Sequence, residues 1–174
     1  MRWVVFLRAA NVGKHNRFQP SILAKELAKF GVINVGAVGT FVVREDVSEA
    51  TLRAAILRKL PFKCEVMICR AKDVVDLARN APLTDEPLSN DLRAFVTVMA
   101  KRPARLPKLP IHAPNIDHWE VKVVRITGLC ALSLWRRLKE SALYPNQVIE
   151  KEFGVATTTR SWNTILKVAE ILGA

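Results

Sequence analysis

The chain has 174 residues, of which 50% are hydrophobic and 25% charged, a composition typical of a folded globular protein and not of a disordered one. It carries 27 Lys and Arg against 16 Asp and Glu, so its formal net charge is +11. The positive excess is spread over both halves of the sequence and does not form a tail. Such a charge favours encounters with polyanions and phosphorylated ligands, and the alternative is a basic protein without an anionic partner.

No stretch reaches the ~18 uncharged apolar residues that a membrane helix needs. The first apolar run is broken by Arg8 too early for the core of a signal peptide, so we expect a cytoplasmic protein with no membrane partner. Three cysteines fit reduced thiols there. Cys64 and Cys69 are five residues apart and face opposite sides of a strand, and Cys130 has no partner in the sequence. Because the three histidines also lack ligand spacing, we expect no metal and no cofactor.

The first half of the chain predicts the element order β-α-β-β-α-β. An apolar run from Trp3 to Arg8 indicates a buried strand, and Gly31 ends the helix that Gln19 opens. Ser48 is a suitable N-cap for the second helix, which ends before Pro61. The remaining predicted elements are strands 33–37, 40–44 and 65–70 and a helix over 72–80. This order is typical of a ferredoxin-like unit with a four-stranded antiparallel sheet.

Residues 81–92 are rich in Pro, Asp, Ser and Asn and indicate a linker between domains over 1–80 and 93–174. The second domain is predicted to repeat the unit with strands 93–100, 118–125, 129–135 and 155–159, a helix over 146–153 and a terminal helix from Trp162. Residues 101–115 hold four prolines, so we expect an irregular crossover in place of the first helix. The predicted fold is therefore α+β, with two ferredoxin-like halves, the second irregular.

Two polar clusters indicate a binding site. Arg8, Asn11, Gly13 and Lys14 follow the first strand, and glycine there allows a close approach of the backbone to an anion. Near the other terminus, Arg160, Asn163 and Lys167 are predicted to share one face of the last helix. We predict that the two clusters form one cleft for an anionic small molecule or nucleic acid. The predicted ligand-binding residues are Arg8, Asn11, Gly13, Lys14, Arg160 and Asn163.

Two other interpretations stay open. His15 could act as a base in a small enzyme for an anionic metabolite, although no nucleophile, paired carboxylates or complete phosphate-loop motif accompanies it, and we predict no catalytic residue. Alternatively, Arg160 and Asn163 tie the two halves together by hydrogen bonds. The simplest structural interpretation of the same motif takes Thr159 or Ser161 as the helix N-cap and Arg160 as a surface residue. Oligomeric state and pathway are not predicted by any motif.

Residues 7–13, Leu-Arg-Ala-Ala-Asn-Val-Gly, resemble the R-G-I-N-V-G-G opening of DUF1697, a bacterial family of unknown function. The hairpin at Gly39 matches the family's S-G-N-V-x-F, and residues 158–164 are similar to its T-x-R-N-W-N-T. The chain departs from the pattern at Ala9, Lys14, Thr40 and Ser161. The resemblance implies an α+β protein with ferredoxin-like halves and a cytosolic location, and it implies no established activity, cofactor or catalytic residue.

Overall fold

The computed structural model describes residues 1–8, 18–80, 87–140 and 142–174. These residues form an α+β fold with two antiparallel sheets and five α-helices, which confirms the predicted class. The strands are β1 (Trp3–Leu7), β2 (Val32–Asn34), β3 (Thr40–Val43), β4 (Val66–Arg70), β5 (Leu92–Met99), β6 (Ile111–Ala113), β7 (Val121–Thr127), β8 (Cys130–Arg136) and β9 (Thr157–Ser161). The helices are α1 (Pro20–Glu26), α2 (Glu49–Lys59), α3 (Ala71–Arg79), α4 (Pro145–Phe153) and α5 (Trp162–Ile171).

Several observed boundaries differ from the predicted ones. Helix α1 ends early and is followed by a 3₁₀ turn at Ala28–Phe30, after which Gly31 adopts a left-handed φ of 61°. The predicted crossover over 101–115 contains the short strand β6, which extends the edge of the second sheet. Strand β5 begins at Leu92, inside the predicted linker, of which residues 81–86 lie outside the described part of the chain.

The two sheets repeat one pattern of strand pairing. Their strand orders are β2-β3-β1-β4 and β6-β7-β8-β5-β9. In the first sheet, β1 pairs with β3, the second strand of a hairpin, and with β4, which leads into α3. In the second sheet, β5 pairs in the same way with β8 and with β9, which leads into α5. Phe6 of β1 lies opposite Thr40 and Met67, as Val98 of β5 lies opposite Cys130 and Thr158. The second sheet thus reproduces the register of the first and adds β6 at its edge.

A shared core joins the two sheets. Helices α1 and α2 cover the outer face of the first sheet, and α4 covers the outer face of the second. The inner faces of both sheets pack with α3 and α5 in a single cluster that includes Phe6, Leu132 and Ile165. Since each buried aliphatic or aromatic side chain contributes about 1.5–3 kcal/mol, separating the sheets would expose a large apolar area. In the described ranges, no helix has the length and apolar character required to cross a membrane.

Cys69 and Cys130 meet in this core, which corrects the expectation that Cys130 stands alone. Their sulfurs are 3.8 Å apart, and they come from the first and second sheets respectively. Sequence spacing could not show this contact because the two residues are 61 positions apart. The hydrogen bond with Cys130, followed by burial, raises the pKa of Cys69 well above that of a free thiol. Cys69 is therefore a protonated, unreactive thiol at neutral pH.

We expect only one of the three thiols to react in the folded protein. Cys69 and Cys130 are at most 2% exposed, whereas Cys64 is partly exposed and its pKa is raised by partial burial and by Glu65. A thiol-reactive chromophore should label Cys64 slowly in buffer and all three cysteines in guanidinium chloride. Rapid labelling of three thiols without denaturant would contradict this arrangement.

Candidate functional site around Arg160

Arg160 lies on strand β9 and not on the terminal helix, so its predicted helical spacing with Asn163 and Lys167 was wrong. The chain stays extended through Arg160, which lies opposite Val96 of β5. The helix begins only after Ser161, whose hydroxyl accepts a hydrogen bond from the Thr164 N–H at 3.4 Å. Ser161 is therefore the N-cap, one of the two caps expected, and it fixes where the strand ends.

The Arg160 side chain crosses from the second sheet to the first. It is only 6% exposed. Its Nε donates to the Thr40 hydroxyl at 2.8 Å, at the start of β3 in the first sheet. Its Nη1 donates to the Thr158 hydroxyl at 2.7 Å and to the Thr159 carbonyl at 2.9 Å, both on its own strand. One guanidinium thus bridges the two sheets by side-chain hydrogen bonds.

The same guanidinium binds the backbone at the ends of β1 and of the turn before β3. Its Nη2 donates to the Leu7 carbonyl at 2.8 Å, the Val38 carbonyl at 2.9 Å and, more distantly, the Gly39 carbonyl at 3.3 Å. Because a guanidinium has five N–H donors, these contacts together with those of Nε and Nη1 leave none unpaired. Arg160 therefore recognises the local backbone and has no donor remaining for a ligand.

The charge of Arg160 is balanced by carbonyl dipoles and not by a carboxylate. Within the described residues, each Asp or Glu in an ion pair has a partner other than Arg160. Burial lowers the pKa of Arg160 to about 10, so the side chain is still cationic at neutral pH. Its guanidinium carbon is also 5.7 Å from the centroid of the Phe6 ring, within the range of a cation–π contact.

Gly39 allows the turn to approach β1 closely. Its φ is 75°, a left-handed conformation that favours glycine, and a Cβ atom there would lie 2.9 Å from the Cβ of Leu7. The Leu7 N–H donates to the Gly39 carbonyl at 2.8 Å. Arg160 and this turn therefore hold the last residue of β1 from two sides.

A second polar contact holds the next residue of the chain. The Arg8 guanidinium donates to the Glu150 carboxylate on α4 at 3.1 Å. The same carboxylate oxygen accepts hydrogen bonds from the N–H and the hydroxyl of Thr157, each at 3.0 Å. Since the Arg8 side chain is 42% exposed, this ion pair adds little stability, but it links the residue after β1 to helix α4.

The structure brings some of the predicted site residues together and separates another. Arg8 and Arg160 both bind next to the carboxyl end of β1. Asn163 is exposed in the first turn of α5, two residues after β9 ends, and it lines a cavity of about 370 Å³ with Arg93 and Phe95. Asn11, Gly13 and Lys14 lie outside the described residues.

Three partners in this network were missed by sequence reasoning. The hydroxyl of Thr40, the carbonyl of Leu7 and the carboxylate of Glu150 become neighbours only when the sheets pack together. A useful signal was available for Arg160 itself, since a strand places it on the same face as Thr158, two residues earlier, and such a face can be directed into the protein. No comparable pattern marks Glu150.

Comparisons with known proteins agree with this architecture. The sequence profile of a family described as "Protein of unknown function (DUF1697)" matches residues 1–125. The solved structure of the conserved bacterial protein SP0830 from Streptococcus pneumoniae is similar, with a TM-score of 0.65 and 17% sequence identity over 98% of each chain. At that identity the similarity concerns the fold alone. Comparison with curated protein sequences gave no match. Because the profile covers most of the chain, the protein belongs to the DUF1697 family of proteins of unknown function.

Proposed function

We propose that the protein is a non-catalytic binding protein for a phosphate-bearing anion, and that residues 9–17 supply the contacts. The observation that carries this proposal is the Arg160 network at the carboxyl end of β1, the strand that leads into this segment. In the proposal, Asn11, Gly13 and Lys14 contact the ligand, and Arg160 positions the residues before them.

Pre-organisation is the physical reason for this division of roles. A binding segment whose preceding residues are fixed loses less conformational freedom when a ligand arrives. Here Leu7 is held by Arg160 and by the turn at Gly39, and Arg8 is held by Glu150. The net charge of +11 then favours the encounter with an anion. This proposal includes the cytoplasmic location expected from the sequence.

The variant Lys14→Ala tests the proposal. Its control is Lys25→Ala, which removes an exposed lysine from helix α1. Isothermal titration with pyrophosphate and fluorescence anisotropy with a labelled DNA duplex separate a small phosphorylated ligand from nucleic acid. We expect Lys14→Ala to weaken binding of one of these probes about 10- to 150-fold, since hydrogen bonds to charged groups contribute about 1.5–3 kcal/mol. Lys25→Ala should leave that binding unchanged.

Two results would contradict the proposal. The first is that neither probe binds the unaltered protein at low salt, where electrostatic attraction is strongest. The second is that Lys14→Ala and Lys25→Ala bind alike. Either result would leave the Arg160 network with a purely structural role, the third interpretation of the sequence.

We also infer that both halves are ferredoxin-like units. The first sheet has the element order and antiparallel pairing expected of a β-α-β-β-α-β unit. The second sheet repeats its register, with residues 101–115 in place of the first helix. The proposed domain limits, 1–80 and 93–174, describe these two units, although their inner faces share one core.

A further inference from the structure

A cationic patch lies on the second sheet, away from the Arg160 network. It consists of His112 on β6, Trp119 just before β7, Lys122 on β7 and Arg136 on β8. The guanidinium carbon of Arg136 is 4.1 Å from the centroid of the Trp119 ring, and the ammonium nitrogen of Lys122 is 5.8 Å from it. The ring of His112 meets the same indole edge-on, with centroids 6.5 Å apart. One aromatic ring thus gathers three basic side chains.

The register explains why these side chains share a face. His112 lies directly opposite Lys122, and Lys122 lies directly opposite Leu134. Leu134 belongs to the shared core between the sheets, so this row of side chains continues from the core outwards to the edge strand β6. All four residues of the cationic patch are partly exposed. The inner face of the second sheet therefore becomes solvent-accessible towards its edge strand β6, where the cationic patch lies.

The nearest carboxylate in the sequence is engaged elsewhere. Glu120 lies between Trp119 and Val121, and its carboxylate accepts hydrogen bonds from the N–H groups of Ala142 and Leu143 at 3.0 and 3.2 Å. In the described part of the chain, no ion pair joins Lys122 or His112 to a carboxylate. Lys122 can therefore contribute its charge to a bound anion.

We propose that the cationic patch binds single-stranded nucleic acid, with a base stacked on the Trp119–Arg136 pair and adjacent phosphates on Lys122 and His112. Indole rings and guanidinium planes are the surfaces on which unpaired bases stack in proteins. A purely acidic peptide would use the charges but would gain nothing from the flat ring. The inference uses none of residues 9–17, so it does not depend on the proposed function above.

Fluorescence anisotropy with a labelled oligothymidylate tests the cationic patch. A length of about 16 nucleotides covers the usual site size of a small single-strand binding fold. An abasic strand of the same length keeps every phosphate and removes the bases. Lys122→Ala and Trp119→Ala are compared with Lys29→Ala, a matched control because the Lys29 ammonium lies over the Phe30 ring at 4.8 Å on the opposite half of the molecule.

We expect Lys122→Ala to weaken thymidylate binding several-fold and to lower the slope of log affinity against log salt by about one. Lys29→Ala should change neither quantity. In the unaltered protein the abasic strand should bind less tightly than thymidylate, and Trp119→Ala should remove that difference. Circular dichroism shows whether Trp119→Ala is folded, and the abasic comparison tests stacking without any substitution.

Three outcomes would overturn the inference. One is equal binding of the abasic and thymidylate strands by the unaltered protein, which would exclude stacking. Another is a salt slope that is the same for Lys122→Ala and Lys29→Ala. The last is that polyglutamate binds as tightly as thymidylate and depends equally on Lys122, which would indicate an acidic protein partner. Since Lys14→Ala is expected to leave this site intact, its result separates this inference from the proposed function.

Discussion

Replacing Arg160 by alanine is expected to destabilise the protein by roughly 3–5 kcal/mol, because several acceptors lose a charged donor at the same time. The substitution removes the guanidinium from the Thr40 hydroxyl and the Leu7 carbonyl in buried contacts, and from the Val38 carbonyl in a partly buried one. The Leu7 carbonyl keeps only the longer contact with the Thr158 hydroxyl, at 3.4 Å. Each orphaned buried acceptor costs about 1–3 kcal/mol. For a chain of this size the melting temperature should fall by roughly 6–20 °C.

Two further variants make the measurement specific. Arg160→Lys keeps the charge but has three donors on a single nitrogen, so it cannot serve all the acceptors at once and should give an intermediate loss. Lys167→Ala removes an exposed cation from α5 and should change stability by no more than about 0.5 kcal/mol. Chemical denaturation of the four proteins tests the order. If Arg160→Ala were as stable as Lys167→Ala, the bridge between the sheets would have no energetic role.

Gly39→Ala is the second substitution with a large expected effect. The left-handed backbone of Gly39 costs a residue with a Cβ about 1–2 kcal/mol. In addition, the new Cβ would lie 2.9 Å from the Cβ of Leu7, which is fully buried and cannot move aside. Overpacking of this kind costs about 1–3 kcal/mol more. We therefore expect a total destabilisation of about 2–5 kcal/mol.

Gly36→Ala is the matched control for this prediction. Gly36 has nearly the same φ, 76° against 75°, but a Cβ there would meet no atom within 4 Å. Gly36→Ala should lower the free energy of unfolding only by the cost of the left-handed backbone, about 1–2 kcal/mol. The difference between the two variants measures the close approach of the turn to β1. Equal melting temperatures would show that Leu7 and the turn can separate at no cost.

The repeated strand register gives the Arg160 bridge a counterpart in the first half. Cys69 lies two residues before α3, as Arg160 lies two residues before α5, and both point into the shared core. Cys69 contacts Cys130 at the start of β8, and Arg160 contacts Thr40 at the start of β3. The residue two positions before the last helix of each half therefore contacts the first residue of the equivalent strand in the other half. In one case the contact is between two thiols, and in the other it is between a guanidinium and a hydroxyl.

The sequence by itself determined the kind of fold and the family. Apolar runs, capping residues such as Ser48 and stop signals such as Gly154 predict local elements, since each depends on neighbours a few positions away. The resemblance at residues 7–13 and at the Gly39 hairpin, both within the matched residues 1–125, also identified the DUF1697 family correctly. Local patterns were sufficient for these conclusions because strand and helix periodicity are short-range properties of the chain.

Only the tertiary structure decided what the polar residues contact. Arg160 is 153 positions from Leu7, and Cys130 is 61 positions from Cys69, so no spacing rule relates them. The cationic patch around Trp119 likewise depends on three strands lying side by side. Such neighbours follow from sheet packing, which the apolar residues drive without regard to polar partners along the sequence.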